Sequence, residues 1–247
     1  MGRDRIVVLV ALAGVTAVAW AWLIRMATEM NSSVPMAVMG VRAWAPVDFG
    51  LTLLMWTVMM VGMMVPTAAP MTLTYAAVAR KAARGQTPVP PTMVFAAGYV
   101  CLWALFSVLA ALAQWGLDQA GVLSPMLVTT SPLLGAGLLV AAGAYQLTPL
   151  KRACLDHCRS PVYFLSAHWK RGIGGAFRMG MEHGAFCIGC CWALMGLLFV
   201  GGVMNLAWVA VIAFFVLVEK LIPRGRLASA VAGGGLIGTG LVMMVFV

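Results

Sequence analysis

One apolar stretch of this sequence carries several soft metal-ligand types side by side. Residues 181–195, "MEHGAFCIGCCWALM", contain a histidine, three cysteines and two methionines. Cys190 borders a set of residues that recurs every four positions and therefore forms one slowly winding stripe on a helix. The members of this stripe are Met179, His183, Cys187, Cys191 and Met195. Thiolate, thioether and imidazole ligands favour Cu(I), zinc or an iron–sulfur cluster over hard cations. The stripe, with Cys190, therefore predicts a soft-metal site.

A methionine-rich stretch, "MWTVMMVGMM", occupies residues 55–64. Met55, Met59 and Met63 follow one another at intervals of four, so they share a helix face. Thioethers are neutral and soft, and soft sulfur ligands suit Cu(I). We therefore predict that copper is the metal, with zinc or another soft metal as the alternative, and that these methionines face the cysteine stripe. Ordinary packing is the competing interpretation, since methionine commonly fills apolar cores.

A third group lies between the apolar stretches, in "CLDHC". Cys154 and Cys158 share a face if this segment is helical, as a clip that receives a metal would require. Two ordinary reduced thiols are the alternative, because cytoplasmic cysteines normally remain unpaired. Glu182, next to His183, is a candidate hydrogen-bond partner of that ligand or a proton relay.

The composition defines the elements that must position these residues. The chain has 247 residues, of which 63% are hydrophobic and 9% charged, with a mean hydropathy of +0.99. A soluble domain needs far more charge on its surface, whereas a spanning helix needs about 20 apolar residues. We predict an all-α, polytopic membrane bundle, a single integral membrane domain over residues 1–247 with about seven spans. The predicted spans are 6–24, 49–79, 92–115, 131–148, 179–200, 204–221 and 227–246.

The basic residues predict the orientation of the chain. The formal net charge is +9, and of the 16 Lys and Arg residues only Arg25 and Arg42 fall in segments on the opposite side from the others. By the positive-inside rule the N-terminus is cytoplasmic and the C-terminus external, in a bacterial cytoplasmic membrane. Basicity is then a topology signal, and no nucleic-acid partner is expected. The long connection 149–178 is predicted to form one or two short interfacial helices on the cytoplasmic side.

Three segments carry a resemblance to a known family. They are "YQLTPLKRACLDHCRSP", "FRMGMEHGAFCIGCCWALM" and "GVMNLAWVAVIAFFVLVEKLIP". The sequence resembles, from about Leu51 to Pro223, a bacterial domain-of-unknown-function family of predicted metal-binding integral membrane proteins. The block HG-x-x-C-x-G-C-C-W is the most specific part. The resemblance implies a membrane location, a small soluble partner protein and metal binding by His183, Cys187, Cys190, Cys191, Cys154 and Cys158.

Two functions are compatible with these residues. One is a copper-dependent membrane oxidoreductase or monooxygenase subunit that takes a hydrophobic substrate from the bilayer, with copper fixed between the second and fifth spans. The alternative is a copper permease or membrane metallochaperone, in which sulfur ligands at successive depths exchange Cu(I) and the outer loop with Met36 and Met39 forms one end. The tight grouping of three cysteines favours a retained site and hence the oxidoreductase. The presence of only three histidines argues against it.

Overall fold

The computed structural model describes residues 3–33, 44–82, 89–124, 127–222 and 225–246, and these residues form ten helices and no strand. Five segments are long and apolar enough to cross a membrane: Arg3–Glu29, Pro46–Ala82, Val89–Gln119, Gly172–Gly201 and Gly225–Val245. The ten helices are α1 (Arg3–Ser33), α2 (Pro46–Ala82), α3 (Val89–Gln119), α4 (Pro132–Gln146), α5 (Pro149–Arg159), α6 (Pro161–His168), α7 (Gly172–Gly196), α8 (Leu198–Gly201), α9 (Leu206–Leu221) and α10 (Gly225–Val245).

The all-α class and the long apolar helices agree with the sequence prediction, and five of the seven predicted spans coincide with helices long and apolar enough to cross a membrane. Helices α4 and α9 lie where the fourth and sixth spans were predicted, but they contain only 15 and 16 residues. Helix α4 continues into α5 only through a 64° bend. Helix α9 follows the cap Asn205, whose side chain accepts a hydrogen bond from the Trp208 amide. The count of seven spans remains a prediction.

Helices α3 and α7 run parallel and touch through their backbones. Gly98 lies against Phe177, and Gly184, further along α7, lies against Leu102, further along α3. A Cβ atom on Gly98 would stand 2.2 Å from the Phe177 carbonyl oxygen. Only glycine allows this approach, which fixes α7 against α3.

The pairs α1–α2, α2–α3, α4–α7, α7–α9 and α4–α10 run antiparallel. In each pair, a residue near the start of one helix contacts a residue near the end of the next. These contacts are Asp4 with Arg80, Trp56 with Gln114, Thr129 with Phe199, Leu197 with Trp208, and Gly143 with Gly233. The direction therefore alternates along α1, α2, α3, α4, α7, α9 and α10, as successive membrane crossings would require. The start of α1 and the end of α10 lie at opposite ends of the bundle.

The connection 149–178 contains two short helices, α5 and α6, and the start of α7 at Gly172; the cytoplasmic, interfacial position of the connection remains a prediction. Thr148 caps α5 by accepting a hydrogen bond from the Lys151 amide, and Pro149 occupies the first helical position. Helix α5 packs against α7 and buries Leu155 and Cys158. It is therefore part of the bundle core as well as a connection.

Candidate copper site

Cysteines from two segments meet where α5 packs on α7. The Cys158 sulfur lies 4.0 Å from the Cys190 sulfur, and the Cys154 side chain lies against Gly189. The two groups that the sequence presented separately thus form one site. We call it the thiol cluster, and its members are Cys154, Cys158, Cys187, Cys190 and Cys191. All of them are buried except Cys154, which is partly exposed.

Gly189 allows α5 to approach α7 at the thiol cluster. A Cβ atom at this position would lie 2.7 Å from the Cys154 sulfur. Burial raises the pKa of the Cys154 thiol, and the neighbouring Cys190 raises it further. Cys154 is therefore a neutral thiol at neutral pH unless a metal displaces its proton.

The variant Gly189→Ala is expected to destabilise the protein by about 1–3 kcal/mol, the usual cost of overpacking a core. Thermal unfolding in detergent would measure the loss. Gly196→Ala on the same helix is the matched control, because nothing lies within 4 Å of the atom it adds. Adding Cys154→Ala to Gly189→Ala should restore stability. Equal stability of the two single alanine variants would contradict the close packing of α5 on α7.

The Cys187 sulfur is held by two polar side chains from other helices. Lys220 Nζ of α9 lies 2.8 Å from it, and the Tyr99 hydroxyl of α3 lies 3.0 Å from it. Lys220 also donates to the Thr67 hydroxyl of α2 at 3.0 Å, and Tyr99 donates to the Met64 carbonyl at 3.1 Å. Four helices therefore meet around this one sulfur atom.

The other two cysteines of α7 are bonded to their own helix. The Cys190 and Cys191 thiols donate to the Cys187 carbonyl oxygen at 3.1 and 2.9 Å. Each of these hydrogen bonds stays within α7. When a metal binds one of the two sulfurs, the only hydrogen bond lost is a weak one donated by a thiol. Both sulfurs are therefore available as ligands without disturbing another helix.

His183 lies one turn before Cys187 in an aromatic pocket. Its ring stacks on Tyr99 with a centroid separation of 5.3 Å and lies 6.2 Å from the ring of Phe95. The side chain is buried, and neither ring nitrogen has a hydrogen-bond partner among the described residues. Buried polar groups almost always have hydrogen-bond partners. The two unpartnered ring nitrogens therefore make His183 a candidate metal ligand.

Glu182 forms an ion pair and makes no hydrogen bond to His183. Its carboxylate accepts hydrogen bonds from Lys170 Nζ at 2.6 and 2.7 Å, and Arg178 lies 3.8 Å away. The expected hydrogen bond to His183 is not formed, since adjacent residues of a helix point in different directions. Glu182 instead links the middle of α7 to Lys170 in the preceding connection.

The predicted methionines are buried together with the cysteines. Met55, Met59 and Met63 belong to the same hydrophobic cluster as the three cysteines of α7. Across the described ranges, no group of three or more His, Cys, Asp and Glu side chains is already arranged around a metal position. The donors are thus mostly sulfur atoms in one core, and ligation by the three methionines remains a prediction.

Sequence reasoning missed the side chains that hold the Cys187 sulfur. Lys220 lies at the end of the predicted span 204–221, and Tyr99 and Thr67 gave no signal in the sequence. Lys220 could have been found as a charged residue in the last turn of an otherwise apolar helix. Its neighbour Glu219 cannot neutralise it, because residues i and i+1 of a helix do not face each other.

An all-helical chain with long apolar helices and a buried thiol cluster defines a membrane-associated, metal-binding class of protein. A family model described as "PpoB2: Copper chaperone" matches residues 53–243. This match covers most of the chain, and the chain belongs to that family. Copper is therefore the metal associated with it, as predicted from the sulfur ligands. Neither the curated proteins nor the solved structures gave a match.

Proposed function

We propose that the protein is an integral membrane copper chaperone that holds Cu(I) between α5 and α7 and delivers it to a partner protein. The observation that carries the proposal is the 4.0 Å separation of the Cys158 and Cys190 sulfurs. A metal–thiolate bond is about 2.3 Å long for zinc, so two sulfurs sharing one ion lie within about 4.6 Å. Soft thiolates select Cu(I).

The arrangement supports a stepwise transfer. Cys154 is the exposed member of the thiol cluster, and it lies four residues before Cys158 on α5. An ion arriving at Cys154 would pass to Cys158 and then to Cys190, with Cys187, Cys191 and the α2 methionines as further donors. Because α5 belongs to the basic, cytoplasmic connection of the predicted topology, the partner is proposed to be a small soluble protein on the cytoplasmic side of the inner membrane.

A copper-dependent oxidoreductase acting on a hydrophobic substrate is the competing function, and the tight cysteine group favoured it from sequence. The family description supports a chaperone instead, and His183 is the one histidine within the long apolar helices described. A permease would need donors on the outer side as well. Met36 and Met39, predicted to serve there, lie outside the described residues.

The test uses the full chain purified in detergent and loaded with Cu(I) without oxygen. A chaperone should bind near-stoichiometric Cu(I), give it up to a soluble dithiol acceptor within minutes, and show no oxygen-dependent Cu(II) signal in electron paramagnetic resonance. Copper that resists the acceptor and is oxidised by oxygen would support the oxidoreductase. Movement of Cu(I) into the lumen of proteoliposomes would support the permease. A chain that binds no Cu(I) would refute the proposal.

A further inference from the structure

Lys220 is a buried cation near the end of α9, and one of its two polar contacts is a sulfur atom. Only 7% of the residue is exposed, and its ammonium contacts the Cys187 sulfur and the Thr67 hydroxyl. Within the described ranges, no carboxylate forms a salt bridge with it. The adjacent Glu219 is bound by Lys151 and by the Ser229 hydroxyl. The nearest group able to carry a compensating negative charge is therefore the Cys187 sulfur.

A buried ammonium without an anion is costly, by several kcal/mol even after relaxation, and charged residues within membrane helices therefore mark functional sites. A hydroxyl such as Thr67 satisfies a hydrogen bond but supplies no charge. The thiol cluster must then present a net negative charge toward Lys220 for the lysine to be tolerated. The metal complex formed there has to meet the same requirement.

We propose that Lys220 is the counter-charge of a bis-thiolate Cu(I) complex in which Cys187 is one of the two thiolates, and that it makes the site select a monovalent over a divalent ion. This inference rests on the proposed copper chaperone function. Two thiolates and one Cu(I) carry one net negative charge, which the ammonium neutralises. Two thiolates and one Zn(II) are neutral, so the ammonium beside them would remain uncompensated in an apolar core. Zinc would also need about four ligands.

Selectivity is a difference of affinities and is often built from a repulsive contact with the wrong ligand. The test therefore measures the ratio of Cu(I) to Zn(II) affinity by competition with a coloured chelator for each ion. In Lys220→Met this ratio should fall by about tenfold or more, as expected when a buried charge interaction of more than 1.4 kcal/mol is lost. Lys220→Arg, which keeps the charge, should retain most of the wild-type selectivity. Lys81→Met, at an exposed lysine of α2, is the control for charge removal elsewhere.

The inference is overturned if Lys220→Met leaves the ratio unchanged, or if both affinities fall together, because a purely structural lysine would act on both ions alike. If Lys220→Met does not fold, Lys220→Gln decides the question by the same criteria, since its amide can still bond to Thr67. A wild-type chain that binds Zn(II) but no Cu(I) would overturn the proposed function as well. A wild-type chain that binds Cu(I) with an unchanged ratio in the variant would overturn only the role of Lys220.

Discussion

A variant carrying both Cys158→Ser and Cys190→Ser is expected to lose stoichiometric copper. The two sulfurs are buried and face each other across the α5–α7 contact. Serine keeps the shape of cysteine but replaces a soft sulfur with a hard hydroxyl, which Cu(I) binds poorly. Loss of a group that only supports a ligand costs 10–100-fold in metal affinity, so loss of two ligands should cost at least about a hundredfold. Copper per chain after gel filtration would measure it.

Cys101→Ser provides the matched control for this experiment. Cys101 lies on α3, is partly exposed, and does not belong to the thiol cluster. The control should bind copper like the wild type, and all variants should retain their thermal unfolding transition. Retained copper in a folded double variant would place the ion elsewhere in the core. Replacement of Cys187 and Cys191 by serine would then show whether the remaining cysteines of α7 hold it.

A second large effect is expected at the buried ion pair between α5 and α9. Lys151 Nζ donates to both Glu219 carboxylate oxygens at 2.7 and 2.9 Å, and the two side chains are 0% and 1% exposed. Ser229 donates to the same carboxylate at 2.6 Å, and Gln146 also contacts Lys151. Breaking a buried pair leaves an uncompensated charge, which typically costs 3–5 kcal/mol. Lys151→Met and Glu219→Leu should each destabilise the protein by about this amount, measured as a fall in thermal stability in detergent.

A double-mutant cycle separates the pair from its surroundings. Lys151→Met combined with Glu219→Leu should recover much of the loss, because a buried pair can often be replaced by apolar side chains without penalty. The matched control is the pair Lys170–Glu182, whose side chains are 32% and 29% exposed. Breaking it should cost less than about 1 kcal/mol. Strictly additive losses in the cycle would show that Lys151 and Glu219 do not stabilise each other.

The sequence predicted most helices but not how they meet. The apolar runs located all the long helices. The basic connection 149–178, which lies between two of these runs, predicted the short helices α5 and α6. The lengths of α4 and α9 were overestimated, since the apolar runs extend past the caps and bends that end these helices. The contact between Cys158 and Cys190 could not be predicted, because the residues are 32 positions apart and only tertiary packing brings α5 back onto α7.

The sequence predicted which residue types would bind the metal, but not how these residues are arranged in space. His183 and the cysteines of α7 follow from helical periodicity, and all are buried as a stripe facing the core requires. Glu219 pairs with Lys151, a basic residue of the connection. The contact of the Lys220 side chain with the Cys187 sulfur was not predicted. The rotation of a helix about its axis, which decides where its side chains point, is determined by all of its neighbours together.

The adjacent charges of α9 also bear on how the chain assembles correctly. Apart from Glu219 and Lys220, the helix is entirely apolar, and such a helix can slide or rotate against its neighbours at little cost in hydrophobic burial. Glu219 fits only the Lys151 side, and Lys220 fits only the Cys187 side. A shift of one residue in one direction would bring a carboxylate against the sulfur, and a shift in the other direction would bring an ammonium against Lys151. The two side chains thus disfavour forms in which α9 has inserted into the membrane with the wrong register or rotation against its neighbours.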